Sequence, residues 1–355
     1  MKSTPEMEYS LGLGMMSGTS CDGLDLAFCK FESSRAGVEF FKTATYPNAL
    51  RERLLRVMQM GAAELLLFEN EFTAFSAKAV SAAMDESGLK PDFIGAHGHT
   101  VFHRPESNFT FQMLNGGMLS GLTGLPVVCD FRRQDVALGG QGAPLVPIGD
   151  RLLFLDFDAC INLGGVANVS FMKSEKPSAF DICPANLILN ELAHRMGMPF
   201  DRNGTVAASG RVIPELIDRL SKLEYYALPP PKSIGREWFE TVFYANFPEG
   251  KAEVRDLLAT ATTHIADIIA GTLNSLDPGS KVLATGGGAF NGYLMQLLRE
   301  KSHCEMPPAD PLLIEAKEAL IFALLGRLRL LGENNVLHEI TGAEMSVCAG
   351  AVYLP

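Results

Sequence analysis

The chain repeats one order of strand and helix signals, and this repeat constrains its fold more than any other feature of the sequence. In the first half, an apolar run from Leu11 to Met16 meets a turn-rich segment, and strand-like runs follow at 24–31 and 38–46. Apolar runs bounded by turn residues are typical of strands, so these three predict an antiparallel meander. Helical periodicity comes next, and short apolar strands return at 93–97 and 126–130.

The second half begins the same order again near residue 156. Strand-like runs occur at 159–163, 166–172 and 178–181, helices fill much of 184–275, a strand follows at 281–284, and a last helix runs from 316 to about 331. We therefore predict an α/β chain of two lobes with duplicated mixed sheets and a cleft between them. The predicted division is into residues 1–155 and 156–355.

Composition excludes several classes of function. The 355 residues carry 41 Asp and Glu against 30 Lys and Arg, a net charge of −11, which argues against a nucleic-acid partner held through its phosphates. No apolar run reaches the length of about 18–20 residues that a membrane span needs, and no signal-peptide pattern opens the sequence, so we expect no membrane association and no export. The seven cysteines are widely spaced without a CxxC pair, which favours reduced thiols in the cytoplasm over disulfides or a zinc site.

The densest group of ligand-type residues is the turn after the first strand, between Gly14 and Asp25. Its Gly, Ser and Thr residues let backbone N–H groups and hydroxyls approach phosphate oxygens, and a carboxylate there can hold Mg²⁺ or its waters. The segment lacks the lysine of a P-loop, and a polar hairpin turn with Asp22-Gly23 as turn residues explains the same composition. Both interpretations stay open on spacing alone.

Three histidines, His97, His99 and His103, lie close together at the end of a predicted strand. Strand alternation would put His97 and His99 on one face, where a metal, an anion or a substrate could bind. Histidines satisfied by structural hydrogen bonds are the alternative. A zinc site would need a third ligand that the sequence does not show nearby.

A long polar and glycine-rich loop is predicted after another strand, from Asp130 to Pro147. Ligands of α/β folds bind at the carboxyl ends of strands. The adjacent Arg132 and Arg133 offer guanidinium forks that suit a carboxylate or a phosphate. Salt bridges between the lobes are the alternative role for the two arginines.

Two glycine turns end predicted strands of the second half. They leave backbone that a base or a phosphate can approach without a Cβ in the way. Together with the first hairpin, they suit a nucleotide phosphate chain held by both lobes. The glycines are Gly164 and Gly165 in the first turn and Gly286, Gly287 and Gly288 in the second, which Asn291 closes.

Asp181 ends a predicted strand just ahead of a predicted helix at Pro184. A carboxylate there can act as a general base. Its alternative role is to cap the helix, because Asp is a preferred N-cap residue. The polar turn at 232–237 can line a site or face solvent, and the sequence does not decide between the two.

These segments together resemble the anhydro-N-acetylmuramic acid kinase family of the sugar kinase/Hsp70/actin superfamily, from Leu11 to about Ala343. The most specific stretches are 16–25, 97–100, 130–133 with 139–147, and 286–291. The resemblance implies a two-lobe actin-like ATPase, usually homodimeric, that uses ATP and Mg²⁺. It also implies a 1,6-anhydro amino sugar from murein as substrate. Water opens the ring at C1 while O6 takes the γ-phosphoryl group, giving N-acetylmuramic acid 6-phosphate and ADP.

The resemblance also implies roles for individual residues. It makes Asp181 the general base that activates water, and it places Glu318 on the last helix near the active site. The lactyl carboxylate of the substrate gives an arginine a charged partner. The implied sugar contacts are His97, Gln112, Arg132 and Arg133.

Nucleotide binding is implied for loops in both halves of the chain. Asp22 and Asp25 are the implied neighbours of Mg²⁺. The implied ATP-binding residues are Gly18, Thr19, Ser20, Cys21, Asp22, Gly23, Leu24 and Asp25 in the first loop, Gly164 and Gly165 in the second hairpin, and Gly286, Gly287, Gly288 and Asn291 on the nucleotide side.

The sequence departs from the family pattern at five positions. The family usually follows the catalytic Asp with a small residue and Gly-Pro-Gly-Asn, whereas Cys183 and Ala185 replace the two glycines here. Where a glycine needs positive φ, such a replacement costs about 1 kcal/mol or more. His99, Leu114 and Asn190 stand where the family commonly has Gln, Gly and Asp.

These departures leave two alternatives to the implied reaction. One is a kinase of the same fold that acts on a different sugar, and the other is a relative that binds nucleotide or sugar without catalysis. Cys183 has its own alternatives: a helix start nearby would lower the pKa of its thiol and make it reactive, or it is a small buried apolar residue.

Overall fold

A computed structural model describes residues 9–18, 21–32, 35–173, 178–230, 232–248, 250 and 252–355. They form two compact units. One contains the residues up to Phe154 together with Ala316–Pro355, and the other contains Leu155–Glu315. Residues 316–355 therefore pack with the first unit, whereas the sequence analysis assigned them to a C-terminal lobe.

The first unit is built on one mixed sheet of seven strands. Its strands are β1 (Leu11–Ser17), β2 (Gly23–Glu32), β3 (Arg35–Thr45), β4 (Phe93–Arg104), β5 (Phe109–Met113), β6 (Val127–Cys129) and β11 (Ala351–Tyr353). Its helices are α1 (Asn48–Leu55), α2 (Ala62–Ser87), α3 (Gly116–Thr123), α4 (Arg133–Ala137), α5 (Val146–Leu153), α13 (His338–Thr341) and most of α12 (Pro311–Leu331). The strand order is β11-β6-β4-β1-β2-β3, and β5 pairs with β4. Strands β1, β4 and β6 are parallel, and the other pairs are antiparallel.

The second unit has a smaller sheet with the order β10-β7-β8-β9. Its strands are β7 (Ala159–Leu163), β8 (Val166–Phe171), β9 (Ser178–Pro184) and β10 (Val282–Thr285). Its helices are α6 (Asn186–His194), α7 (Thr205–Ser209), α8 (Pro214–Ser221), α9 (Arg236–Trp238), α10 (Val254–Leu273) and α11 (Gly292–Lys301). Strand β10 is parallel to β7, and the remaining pairs are antiparallel.

Both sheets follow one plan, an antiparallel meander with a parallel strand beside its first member. In the first unit that strand is β4 beside β1, and in the second it is β10 beside β7. Each sheet has its own apolar core, in which helix α2 covers the first sheet and helix α10 covers the second. The predicted α/β class with duplicated mixed sheets is confirmed.

The segment from Asp130 to Pro147 is not the continuous loop that its composition predicts. It contains the short helix α4 and the start of α5. The carboxylate of Asp135, fully buried, accepts hydrogen bonds from the N–H of Gly142 at 2.7 Å and from the hydroxyl of Thr341 at 2.6 Å. Because Thr341 is distant in sequence, local patterns do not reveal the bond that orders this segment.

Helix α12 lies unusually close to strands β1 and β4 because both strands carry a glycine at the contact. A Cβ on Gly14 would lie 1.8 Å from the carbonyl oxygen of Ala319, and one on Gly95 would lie 2.1 Å from that of Phe322. A side chain at either position would force the helix away from the sheet. This contact explains why residues 316–355 belong to the first unit.

We expect the Gly95→Ala substitution to destabilise the protein by about 1–3 kcal/mol, because the added methyl group overlaps the backbone of α12. Thermal unfolding followed by circular dichroism should show a lower Tm. Gly121→Ala is the matched control, since Gly121 lies in α3 with no atom within 4 Å of the added Cβ. That control should be neutral or stabilising by about 0.5–1 kcal/mol. Equal Tm values for the two variants would contradict the proposed role of the contact.

Candidate active site

The turn between β1 and β2 is a tight polar hairpin. Thr19 and Ser20 lie outside the described residues. The N–H of Cys21 donates to the carbonyl of Gly18 at 3.3 Å, with Cys21 at φ 55°. Gly23 is required by packing, since a Cβ there would lie 2.6 Å from the methyl group of Thr43. Leu24 is fully buried in the core of the first unit.

The two carboxylates of this hairpin differ in environment. Asp22 is exposed and lies 4.0 Å from the guanidinium of Arg51. Asp25 is half-buried, and its Oδ1 accepts a hydrogen bond from the hydroxyl of Thr43 at 2.6 Å. The hairpin is therefore an ordinary polar turn that also presents two carboxylates, so its two interpretations are compatible.

The histidines at the end of β4 do not share a face, which corrects the prediction from strand alternation. Gly98 between them has φ 79° and breaks the alternation. The ring of His97 packs against Phe322 of α12, whereas the ring of His99 packs against Phe72 of α2. The two side chains therefore do not form the shared metal or anion site that alternation predicted.

His99 belongs to a buried hydrogen-bond chain behind the hairpin. The hydroxyl of Tyr46 donates to Ser17 Oγ at 2.8 Å, and Ser17 Oγ shares a hydrogen bond with Nδ1 of His99 at 2.9 Å. Burial lowers the pKa of His99 to about 4. His99 is thus a neutral, satisfied histidine that supports the end of β1.

His97 and Arg132 form a fixed pair. The Nε–H of Arg132 donates to Nε2 of His97 at 3.0 Å, and Nδ1 of His97 donates to the carbonyl of Gly98 at 3.1 Å. Burial, reinforced by the Arg132 charge, holds the pKa of His97 well below its usual range. Arg132 also donates to the carbonyl of Gly142. With both ring nitrogens engaged and its ring packed against Phe322, His97 holds Arg132 in place.

A cavity of about 260 Å³ lies in the first unit beside this pair. Gln112, itself 7% exposed, donates from Nε2 to the hydroxyl of Thr110 at 2.9 Å. Its Oε1 is buried and accepts no hydrogen bond from the described residues. The lining residues are Glu69, His97, Phe111, Gln112, Leu114, Asn115, Gly116, Cys129, Asp130, Arg133 and Tyr353. The cavity lining thus includes three of the four predicted sugar contacts. The fourth, Arg132, is outside the lining and donates a hydrogen bond to His97.

Charge in this cavity is mixed. Arg133 is exposed, and its Nε lies 3.5 Å from Oδ2 of Asp130. Burial raises the pKa of Asp130, and the charge of Arg133 opposes that rise. Glu69 accepts the N–H of Leu114 at 3.2 Å through Oε1. The weak pairing of Arg133 leaves a cation for an anionic ligand, while the buried amide oxygen of Gln112 suits an N–H donor.

Glu318 lies on α12 among charged neighbours of the first unit. Burial and the nearby charge of Asp25 raise its pKa, while Lys317 and Arg132 lower it. Lys317 points into the core and pairs with buried Asp150 at 2.7 Å. The tight packing of α12 and this buried pair hold Glu318 in place.

Asp181 is a strand residue in the second unit, which corrects the alternative of a helix cap. Helix α6 begins at Asn186, and its N-cap position is Ala185. The carboxylate of Asp181 accepts the N–H of Ile234 at 2.9 Å through Oδ2. Burial raises the pKa of Asp181, and the Ile234 hydrogen bond partly offsets the rise. A partly buried carboxylate of this kind suits a general base.

The three glycines at 286–288 differ in whether their surroundings leave room for a side chain. A Cβ on Gly286, which has φ 81°, would lie 2.2 Å from Oδ1 of Asn162, and one on Gly288 would lie 2.7 Å from Cβ of Leu163. Gly287 is exposed, and its Cβ would meet only an amide nitrogen at 3.7 Å. Packing therefore explains two of the three glycines. Only Gly287 offers open backbone to a ligand.

The other predicted nucleotide residues of this unit have structural hydrogen bonds. The carbonyls of Gly164 and Gly165 accept N–H groups at the start of α6. The side chain of Asn291 caps α11 by accepting the N–H of Leu294 at 3.1 Å. Gly165 remains exposed and Gly164 half-buried, so their backbone can still meet a ligand.

Two negative findings apply to the described part of the chain. It contains no group of three or more His, Cys, Asp or Glu side chains that could hold a metal ion. None of its helices is both long enough and apolar enough to cross a membrane.

The family model for anhydro-N-acetylmuramic acid kinase matches residues 10–355. The chain belongs to this family. Curated family members include proteins of Nitrosomonas europaea, 36% identical over 96% of this chain and 99% of their own length, and of Bordetella pertussis, 37% identical over 97% and 96%. The chain is accordingly an enzyme, a phosphotransferase that acts on a sugar hydroxyl.

Solved structures align less closely with this member of the family. Component A of (R)-2-hydroxyglutaryl-CoA dehydratase from Acidaminococcus fermentans covers 90% of this chain and 99% of its own, at 14% identity and a TM-score of 0.48. The fold assignment therefore rests on the two sheets and on the family, and not on this alignment.

The departures from the family pattern beside Asp181 do not require a positive φ. Neither Cys183 nor Ala185 has positive φ, and Ala185 has φ −124°. Burial raises the pKa of the Cys183 thiol. Cys183 is therefore a buried small residue, and the alternative of a reactive thiol with a lowered pKa is wrong.

Substitutions in the 286–288 turn should separate packing from ligand approach. We expect Gly288→Ala to lower Tm, since its Cβ would lie 2.7 Å from Leu163, and Gly287→Ala to leave Tm nearly unchanged. If nucleotide approaches Gly287, the Gly287→Ala variant should bind ATP more weakly in calorimetry while remaining folded. Unchanged ATP affinity in that variant would remove Gly287 from the nucleotide site.

Proposed function

We propose that this enzyme opens 1,6-anhydro-N-acetylmuramic acid with water and phosphorylates O6 with ATP, giving N-acetylmuramic acid 6-phosphate and ADP. Membership in the kinase family supports the reaction class, because curated members carry that name over nearly their whole length. The observation that carries the proposal is Asp181, a partly buried carboxylate with one oxygen held by a backbone N–H and a raised pKa.

Asp181 acts in the proposed reaction as the base for water. Its Oδ2 is occupied by the N–H of Ile234, and Oδ1 accepts no hydrogen bond from the described residues. Oδ1 therefore takes a proton from water while the water oxygen bonds to C1 of the sugar. The C1–O6 bond breaks, O6 attacks the γ-phosphorus, and the bond from that phosphorus to the bridging oxygen of ADP breaks.

The first hairpin and the glycine turns are proposed to bind the nucleotide. Mg²⁺ usually keeps several waters and takes one or two carboxylates besides the phosphates, so Asp22 and Asp25 fit it without a larger cage. When bound, the metal offsets the negative charge of the phosphates. Burial and the nearby charge of Asp25 raise the pKa of Glu318, and we propose that its carboxyl lies beside the phosphoryl groups.

The cavity of the first unit is proposed to recognise the substituents of the sugar. Arg133 pairs with the lactyl carboxylate, and Oε1 of Gln112 accepts the acetamido N–H. His97 keeps Arg132 in place beside this cavity. A homodimer and a cytoplasmic location stay predictions.

The reaction predicts a product that contains one added water and one added phosphoryl group. Purified protein with Mg²⁺, ATP and 1,6-anhydro-N-acetylmuramic acid should release ADP, and mass spectrometry should identify the 6-phosphate. Asp181→Asn should abolish turnover because it removes the base, yet bind ATP with nearly unchanged affinity. Full activity in that variant would exclude Asp181 as the base.

The pH dependence of kcat follows from the same residue. Burial raises the pKa of Asp181, so its base form is lost as pH falls through a value above the usual range of an aspartate. We expect kcat to fall as pH decreases through that value.

In the product assay described above, ADP release without the 6-phosphate product would support a different sugar as substrate. The absence of any turnover would support a non-catalytic relative.

Sugar recognition can be tested with an analogue that lacks the lactyl group, 1,6-anhydro-N-acetylglucosamine. We expect Arg133→Met to raise KM for the muramic substrate by about 10–100-fold, the value of a charge-assisted hydrogen bond. KM for the analogue should stay unchanged. Arg151→Met, an exposed arginine of α5 outside the cavity, is the control. An equal rise in KM for both sugars would contradict the pairing.

A further inference from the structure

The segment 232–234 runs directly beside Asp181 in the second unit. The N–H of Asp181 donates to the carbonyl of Lys232 at 3.0 Å, and the N–H of Ile234 donates to Oδ2 of Asp181 at 2.9 Å. One short segment therefore holds both the backbone and the carboxylate of the proposed base. The sequence alone did not decide whether this segment lines a site or faces solvent.

Tyr225 connects Asp181 to the same segment. Its hydroxyl donates to the carbonyl of Asp181 at 2.7 Å, and its own carbonyl accepts a hydrogen bond from Nζ of Lys232 at 3.1 Å. The ring of Tyr225 is buried against Trp238, with ring centroids 5.0 Å apart. Tyr225 thus joins strand β9 to the 232–234 segment from a fixed position in the core.

The ammonium of Lys232 lies over two aromatic rings. Its Nζ is 4.8 Å from the centroid of Tyr225 and 5.8 Å from that of Phe180, the neighbour of Asp181 on β9. Cation–π contacts and the hydrogen bond to the Tyr225 carbonyl together fix the start of the segment. The side chain therefore holds the segment at the position from which Ile234 reaches the carboxylate.

We propose that Tyr225 and Lys232 are positioning residues for Asp181. Lys232 holds the 232–234 segment so that its Ile234 N–H orients the carboxylate, and the Tyr225 hydroxyl holds the Asp181 backbone beside that segment. The inference rests on the proposed role of Asp181 as the base. With Oδ2 engaged, the plane of the carboxylate is set and Oδ1 is the oxygen presented to water. Neither positioning residue needs to touch substrate.

The segment also acts on the protonation of Asp181. The N–H of Ile234 stabilises the charged carboxylate and lowers its pKa, whereas burial raises it. Loosening the segment, as in Lys232→Met, or the Asp181 backbone, as in Tyr225→Phe, weakens this hydrogen bond and keeps the burial. The pKa of Asp181 should then rise, and the base form should be lost at a higher pH than in the wild type.

The test compares Tyr225→Phe and Lys232→Met with Tyr226→Phe. Tyr226 is the matched control because its hydroxyl bonds to Nε2 of His264 at 3.1 Å. We expect the first two variants to lose about tenfold or more in kcat with nearly unchanged KM for ATP. The acid limb of their kcat profiles should move up by about one pH unit, the size of a lost hydrogen bond to a charged group. Tyr226→Phe should keep the wild-type limb.

A purely structural role would lower Tm or the folded fraction of both variants without moving the acid limb. That result, in folded Tyr225→Phe and Lys232→Met, would overturn the inference. Lys232→Arg keeps the charge over the rings and should restore most of the kcat lost in Lys232→Met. Failure of that rescue, together with an unmoved limb, would also count against Lys232.

Carbon-13 NMR of labelled aspartates tests the inference without turnover. The Asp181 carboxyl signal is assigned by its loss in Asp181→Asn, and its pKa is titrated in the wild type and in Tyr225→Phe. A higher pKa in Tyr225→Phe supports the positioning role, and an equal pKa overturns it. If Asp181→Asn keeps full activity while this pKa still shifts, the proposed function of Asp181 fails and the structural coupling stands.

Discussion

The close contact between helix α12 and strands β1 and β4 is the constraint on which the first unit depends. Gly14 and Gly95 admit the backbone of the helix where any side chain would overlap Ala319 or Phe322. Dispersion contacts are strongest at such short distances, and the buried backbone keeps its own helical hydrogen bonds. Because the helix cannot shift, Glu318 is held at a fixed place relative to this sheet.

Buried polar groups in this unit are satisfied by partners that also fix geometry. Lys317 pairs with Asp150 in the core, and Asp135 accepts hydrogen bonds from Gly142 and Thr341. Breaking one partner of such a set leaves an uncompensated polar group away from water. These contacts therefore join α5, the 130–147 segment and the C-terminal residues to one sheet. Oε1 of Gln112, in contrast, accepts no hydrogen bond from the described residues, and this open acceptor supports the proposed contact with the acetamido group of the sugar.

In the second unit, the carboxylate of Asp181 is held by a backbone N–H, in contrast to the Asp150 carboxylate that pairs with Lys317 in the first. Asp181 is not paired with a cation, and its carboxylate is oriented by a backbone N–H of Ile234. A neutral donor orients a carboxylate without the large fall in pKa that an adjacent arginine or lysine would cause. Burial can then raise the pKa, which strengthens the base at a working pH where it remains deprotonated. A local segment, supported by Tyr225 and Lys232, meets this requirement better than a salt bridge.

Local patterns were enough to predict both meanders, the strands that follow the helices in each half, the last helix and, through the motifs, the family. Turn residues and the period of apolar residues decide these features within a few neighbours along the chain. The motifs also singled out Asp181 and Arg133 as candidate site residues, and the resemblance added Gln112. Their proposed roles come from the resemblance and stay proposals.

Tertiary structure alone decided how these residues differ from one another. It packed the rings of His97 and His99, both on β4, against two different helices. It also placed Arg133 in the cavity lining while Arg132 bonds to His97, and it showed that packing requires Gly286 and Gly288. It also brought the 232–234 segment to Asp181. Each of these outcomes depends on burial and on hydrogen bonds between residues far apart in sequence, which periodicity and spacing do not encode.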